Sequence, residues 1–278
     1  MTPTRGGRLL SFPAAMTRIF ELSLGQMLWS RRTIFMAVLL GAPLLVAIVM
    51  RLVEVYGDTP LQVRGRRVTG VDLFGLLFWW VYLRFVVPVL GVFYGTGLIA
   101  DEVEDRTLTY LFTRPVPLAA VLLGKYLAYL ACTSLLVLPS VLLVFFLLVP
   151  LREVGPLFFT LLTDLGLLFG GLAVYGAVFA LAGTVLKRPI IAGLVFAFGW
   201  EQVALVMPGY VRQATVAYYL QGLVPHAMPA DGVVSLLAAT FRDTPTVAAC
   251  LAALGATLVV ALALAARAVG RREYLLSQ

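Results

Sequence analysis

Histidine occurs once in this chain, at His226, and cysteine twice, at Cys132 and Cys250. One histidine excludes an HExxH zinc helix and leaves no imidazole set to hold haem or copper. Both cysteines lie in apolar runs without a CxxC partner, so they are expected to be inert buried thiols and not part of a disulfide framework or zinc site. Charge is also scarce: 13% of residues are charged, against about 25% in an ordinary globular chain. That excludes a water-soluble fold. Two familiar sites are missing as well. There is no GxxxxGK[ST] phosphate loop, because Gly124-Lys125 is followed by Tyr126. There is no GxSxG nucleophile, and Gly95-Thr96-Gly97 lacks the third glycine and the strand of a dinucleotide fold.

What fills the chain instead is apolar sequence, 61% of 278 residues. A bilayer span takes about 20 residues. Apolar runs at Thr33 to Val53, Leu73 to Ala100, Tyr126 to Val149, Pro156 to Leu186, Pro189 to Val206 and Thr246 to Val269 predict six spans and leave no room for a large soluble domain. Runs of this length exceed a barrel strand, so the predicted class is all-α, a polytopic membrane protein forming one domain over residues 1–278. The second and fourth runs are overlong, which predicts tilt, breaks or projection beyond the hydrocarbon.

The net charge of +7 reads as membrane-flanking charge and calls for no nucleic acid. With the N-terminus in the cytoplasm, thirteen basic residues face inward: Arg5, Arg8, Arg18, Arg31, Arg32, Arg106, Arg114, Lys125, Lys187, Arg188, Arg267, Arg271 and Arg272. Seven face outward: Arg51, Arg64, Arg66, Arg67, Arg152, Arg212 and Arg242. The excess predicts both termini inside. Arg5 and Arg8 before Leu9 to Ala15 resemble the start of a signal peptide, but Pro13 interrupts the apolar stretch and no cleavage is expected. Residues 1–15 are expected to be a flexible extension, with Met1 and Met16 both candidate starts. Residues 16–32 are expected to form an amphipathic helix lying in the inner interface, the alternative being a plain extension of the first span.

The densest polar stretch runs from Ala100 to Pro117. Asp101, Glu102, Glu104 and Asp105 occupy a predicted first helical turn, where carboxylates meet the positive end of the helix dipole. Leu108, Leu111 and Phe112 follow at helical spacing, and Pro115 and Pro117 end the helix. These residues alone fit two forms equally: a short stiff helix able to seat in a groove of a soluble partner, or a solvated loop with an acidic cap.

The stretch resembles the signature of ABC-2 type permeases, acidic-E-x-E-x-G-T-L-x-x-L-L-x-x-P-V-x-R followed by apolar residues and G-K. Glu102, Glu104, Thr107, Leu108, Leu111, Pro115, Val116, Gly124 and Lys125 match, with Phe112 a conservative replacement. Arg106 stands where glycine is usual, and Leu118 where a basic residue is common. Six spans, an amphipathic entry helix, a long loop before the last span and a basic tail follow the layout of that family. The resemblance implies that residues 100–117 form a coupling helix docking on a separate ABC ATPase subunit that binds ATP and Mg. It also implies a second permease chain, giving a homodimer in the inner (cytoplasmic) membrane, and an exporter with no catalytic site or cofactor of its own. Two alternatives stay open: a non-transporting subunit whose ATP cycle does mechanical work on an outer partner, and an integral-membrane lipid-modifying enzyme.

Arg84, Asp164 and Glu201 lie inside predicted spans, where an ionisable group is costly enough to mark a functional site. Arg84 is expected to pair with Asp164 or Glu201 across helices. Gly166 and Gly170, and Gly91 and Gly95, show GxxxG spacing and are expected to be helix-packing faces. The segment 208–245, with its tyrosines, prolines and His226, is expected to rest in the outer interface, where an extracytoplasmic partner could dock.

Overall fold

The computed structural model describes residues 12–56, 62–63, 66–67, 69–99, 118–207, 210–224 and 245–276. Apart from a two-residue hairpin pairing Gln62–Val63 with Arg66–Arg67, the described chain is helical. The elements are α1 (Phe12–Leu28), α2 (Arg31–Tyr56), α3 (Gly70–Ile99), α4 (Leu118–Leu148), α5 (Leu151–Val185), α6 (residues 189–206), α7 (Val216–Gln221) and α8 (Val247–Leu276). Five of them, α2, α3, α4, α5 and α8, are long and apolar enough to cross a membrane. The apolar stretch of α6 is shorter, 17 residues, or about 25 Å at 1.5 Å per residue. The chain is an all-α polytopic membrane protein.

The entry helix differs from expectation at both ends. Residues Phe12 to Ala15, inside the stretch read as a flexible extension, are already helical. The helix stops at Leu28, and α2 begins at Arg31. Ser30 makes this break: its Oγ accepts from the Thr33 backbone N–H at 3.2 Å, as an N-cap does. The α1 helix is thus a separate element and not a continuation of α2.

α3 and α5 form the centre of the bundle, running side by side in the same direction. Their closeness depends on glycine. A Cβ at Gly183 would sit 2.3 Å from the Thr96 carbonyl oxygen, and one at Gly91 2.9 Å from the Phe179 ring. Gly95 faces the backbone of Gly176, and Gly176 itself leaves room for the Tyr129 ring, 2.1 Å from where its Cβ would be. Gly166 and Gly170 behave otherwise. No described residue lies within 4 Å of a Cβ at either, so among the described residues they form no packing face. GxxxG spacing places two glycines on one side of a helix, and the rotation of the helix decides which side.

The overlong helices resolve differently. α5 is unbroken over 35 residues, about 52 Å, with Pro156 absorbed near its start. α3 instead contains two stretches of wider turn, Phe78–Val86 and Gly91–Gly95. Pro88 explains the first. It has no N–H for the Arg84 carbonyl and crowds it, and the next amide upstream, that of Val87, bonds five residues back to Tyr82.

Candidate functional site

Two groups of residues, at different levels of the bundle, carry the features that sequence singled out. The first lies where the described parts of α3 and α4 meet residues 100–117. Asp101, Glu102, Glu104, Asp105, Thr107, Leu108, Leu111, Phe112 and Pro115 lie outside the described residues, but helical residues on either side are described, up to Ile99 and from Leu118. Lys125 Nζ donates to the Leu98 carbonyl at 3.2 Å. That carbonyl belongs to the last described turn of α3. The α4 lysine therefore ties α4 to α3 close to the segment. Its neighbour Gly124 does a second job. A Cβ there would lie 2.8 Å from the Met16 carbonyl oxygen and 3.1 Å from Ile19 Cβ, so the glycine lets α1 lie directly on α4. Beside this contact Met16, Phe20, Leu127, Leu130 and Phe169 line an apolar hollow of about 400 Å³.

The corner between α1 and α2 is fastened to the same region. Thr33 Oγ1 shares a hydrogen bond with Tyr94 OH on α3 at 2.6 Å and donates to the Met27 carbonyl. From α4, Tyr126 OH donates to the Ala173 carbonyl at 2.7 Å and Tyr129 OH to the Leu172 carbonyl at 2.9 Å. The α4 helix is thereby fixed to the middle of α5 one turn beyond Lys125.

The second group is built around Glu201 on α6, almost completely buried. Tyr175 OH on α5 donates to its Oε2, and the Val216 amide at the start of α7 donates to its Oε1 at 3.1 Å. Thr215, the N-cap of α7, accepts from the Tyr218 amide at 3.3 Å. One carboxylate thus joins α5, α6 and α7, meeting the requirement that a buried charge be hydrogen-bonded. Next along α6, Gln202 Oε1 accepts from Arg84 Nη2. The guanidinium lies over the rings of Trp80 at 5.0 Å and Trp79 at 5.9 Å. The cross-helix hydrogen bond of Arg84 is therefore made to a neutral amide. Asp164 is fully buried on α5. Both flanks of the Arg84 contact are wide turns, Phe78–Val86 on α3 and Val195–Trp200 on α6, a feature enriched at functional sites.

The sequence singles out Arg84, Glu201, Gly124 and Lys125 but not Gln202, Tyr175, Thr33 or the α4 tyrosines. The available signal was hydroxyl and amide groups inside apolar runs, which need partners once buried. Both cysteines are buried and reduced, and no metal-binding cluster occurs among the described residues.

Residues 14–274 match the protein family described as ABC-2 family transporter protein. No curated protein matches the chain.

Proposed function

The chain belongs to the ABC-2 transporter family, the membrane permeases of ABC transporters, and from that premise we propose that it is the permease of an exporter driven by a separate cytoplasmic ATPase. Two copies of the chain work with two ATPases. The ATPases hold ATP and Mg, in keeping with the lack of a phosphate loop in this sequence, and the permease has no catalytic step of its own. It sits in the cytoplasmic membrane with both termini inside, and residues 100–117 dock on the ATPase through Glu102 and Glu104.

The observation that carries this reading is the joining of α1, α3 and α4 next to residues 100–117. Lys125 binds the end of α3, and Gly124 admits α1, so force applied to residues 100–117 moves α1, α3 and α4 as one body. Tyr126 and Tyr129 pass the displacement to the Leu172 and Ala173 carbonyls of α5. Tyr175, less than one turn further along α5, holds Glu201 and through it the start of α7. A docking event at one end is thereby mechanically continuous with the segment that closes the other.

Charge reversal at the docking segment tests this. Glu102→Lys with Glu104→Lys should abolish co-purification of the ATPase, or leave binding intact with ATP hydrolysis unlinked to transport. Wild-type binding and transport in the double variant would remove the coupling role. Tyr129→Phe, distant from the docking face, should leave co-purification unchanged.

A further inference from the structure

From Thr33 to Met50, α2 offers a single hydroxyl, amide or charged side chain, that of Thr33. The rest of this stretch is apolar. It packs for much of its length on α4, while Ile34, Phe35, Val38, Leu45 and Val49 are exposed. Lipid tails are as apolar as such a helix, so apolar contacts alone give little to hold it at one depth and rotation. A directional bond does, and Thr33 is where α2 has one.

Thr33 is buried, and its hydroxyl is fully used. It donates to the Met27 carbonyl in the last turn of α1. A hydroxyl has one proton and two lone pairs, so its contacts with Tyr94 OH at 2.6 Å and Ser30 Oγ at 3.0 Å are both accepted. Tyr94 and Ser30 are therefore the donors, and Ser30 Oγ in turn accepts from the Thr33 amide at 3.2 Å. One oxygen thus holds the end of α1, the N-cap of α2 and the wide-turn stretch Gly91–Gly95 of α3. That stretch lies against α5 through Gly91 and Gly95, and the Tyr94 ring stands 6.5 Å from the Tyr129 ring on α4. Wide turns are also where long helices kink, so α2 is tied to α3 at a point built to bend.

We infer that Thr33 is a positioning residue for coupling: through Tyr94 it makes α2 follow the part of α3 next to residues 100–117. Without the hydroxyl, α2 keeps its apolar contacts with α4 but loses its fixed place against α3, while Gly124 and Lys125 still join α1, α3 and α4. This rests on the permease reading and adds a fourth helix, α2, to the body that moves.

Hydrogen exchange of the full chain in nanodiscs, with and without the ATPase, tests this. Without the ATPase, Tyr94→Phe should speed exchange in the first turn of α2 about threefold, the effect of one hydrogen bond between membrane helices. Thr33→Val strands two donors and a carbonyl and should speed it about tenfold. Thr33→Ser keeps the oxygen and should stay close to the unmodified chain. Tyr94→Phe added to Thr33→Val should bring no further increase; additive effects overturn the inference, since the two hydroxyls would then act separately. With the ATPase bound, ATP should change exchange in the first turn of α2 and at Gly91–Gly95 together. In Thr33→Val the ATPase should still co-purify and only the α3 stretch should respond, a selective loss that a general fall in stability does not produce. An α2 response that survives Thr33→Val overturns the positioning role, as does an α2 that ignores ATP in the unmodified chain while α3 responds. A chain that recruits no ATPase refutes the permease reading instead, and the paired variants still decide whether Thr33 joins α2 to α3.

Discussion

The group around Lys125 and the group around Glu201 solve the same problem, joining several helices within an apolar bundle, with different chemistry. Around Lys125 most acceptors are backbone carbonyls, at Leu98, Leu172, Ala173 and Met27, and most donors are hydroxyls. Such bonds hold through any change of side-chain ionisation. Around Glu201 a single carboxylate serves two donors on two elements, and a guanidinium stands beside it. The first arrangement is suited to transmitting movement. The second concentrates its stability in one group, so one substitution should release α7 and both helix contacts together.

The greatest expected loss tests the packing on which both groups depend. Gly183→Val places side-chain atoms against the Thr96 carbonyl, and Gly176→Val against the Tyr129 ring. Backbone on one side and a packed ring on the other leave little room to relax. Each should cost about 3 kcal/mol or more, at or beyond the usual range for overpacking, seen as loss of monodisperse protein on gel filtration. Gly166→Val and Gly170→Val, where space is open, should elute and melt as the unmodified chain does.

Glu201→Ala comes next. It strands the Tyr175 hydroxyl and the Val216 amide, at about 1–3 kcal/mol for each buried group left unpaired. Glu201→Gln keeps an acceptor and should lose less. Hydrogen exchange at Val216–Gln221 should rise in both, more in the alanine variant; unchanged exchange would show that α7 is held by something other than this carboxylate.

At the other group the effects should be smaller and local. Gly124→Leu pushes α1 away from α4 without opening the α3–α5 seam, so proteolysis near Met16 should accelerate while the thermal midpoint falls by only a few degrees. Tyr129→Phe removes one hydrogen bond, worth about 0.6 kcal/mol between membrane helices. A loss as large as that of Glu201→Ala would erase the contrast between distributed and concentrated bonding.

Much of the architecture was legible because the bilayer imposes long apolar runs. Even the separation of α1 from α2 had a local sign in Ser30 three residues before Thr33. The GxxxG pairs show where such reading stops. Gly91 and Gly95 face α5, whereas Gly166 and Gly170 face open space, and nothing in their spacing distinguishes the two. Arg84 was marked as functional by its cost in an apolar run, but its contact with Gln202 depends on the wide turns that Pro88 and the α6 segment introduce. Those turns shift which residue faces which neighbour. The residues proposed to dock, from Asp101 to Pro115, lie outside the described residues, and of that signature it is Gly124 and Lys125 whose contacts are described.

The sequence by itself determined that this chain is membrane-embedded and helical, and where its charge is concentrated, because burial cost depends on residue type and run length. Only the tertiary structure decided that Lys125 closes the end of α3, that Glu201 fastens α7, and that Arg84 meets an amide. Each of these depends on the rotation and depth of one helix against another, which is fixed by glycine contacts and turn width between segments far apart in the chain.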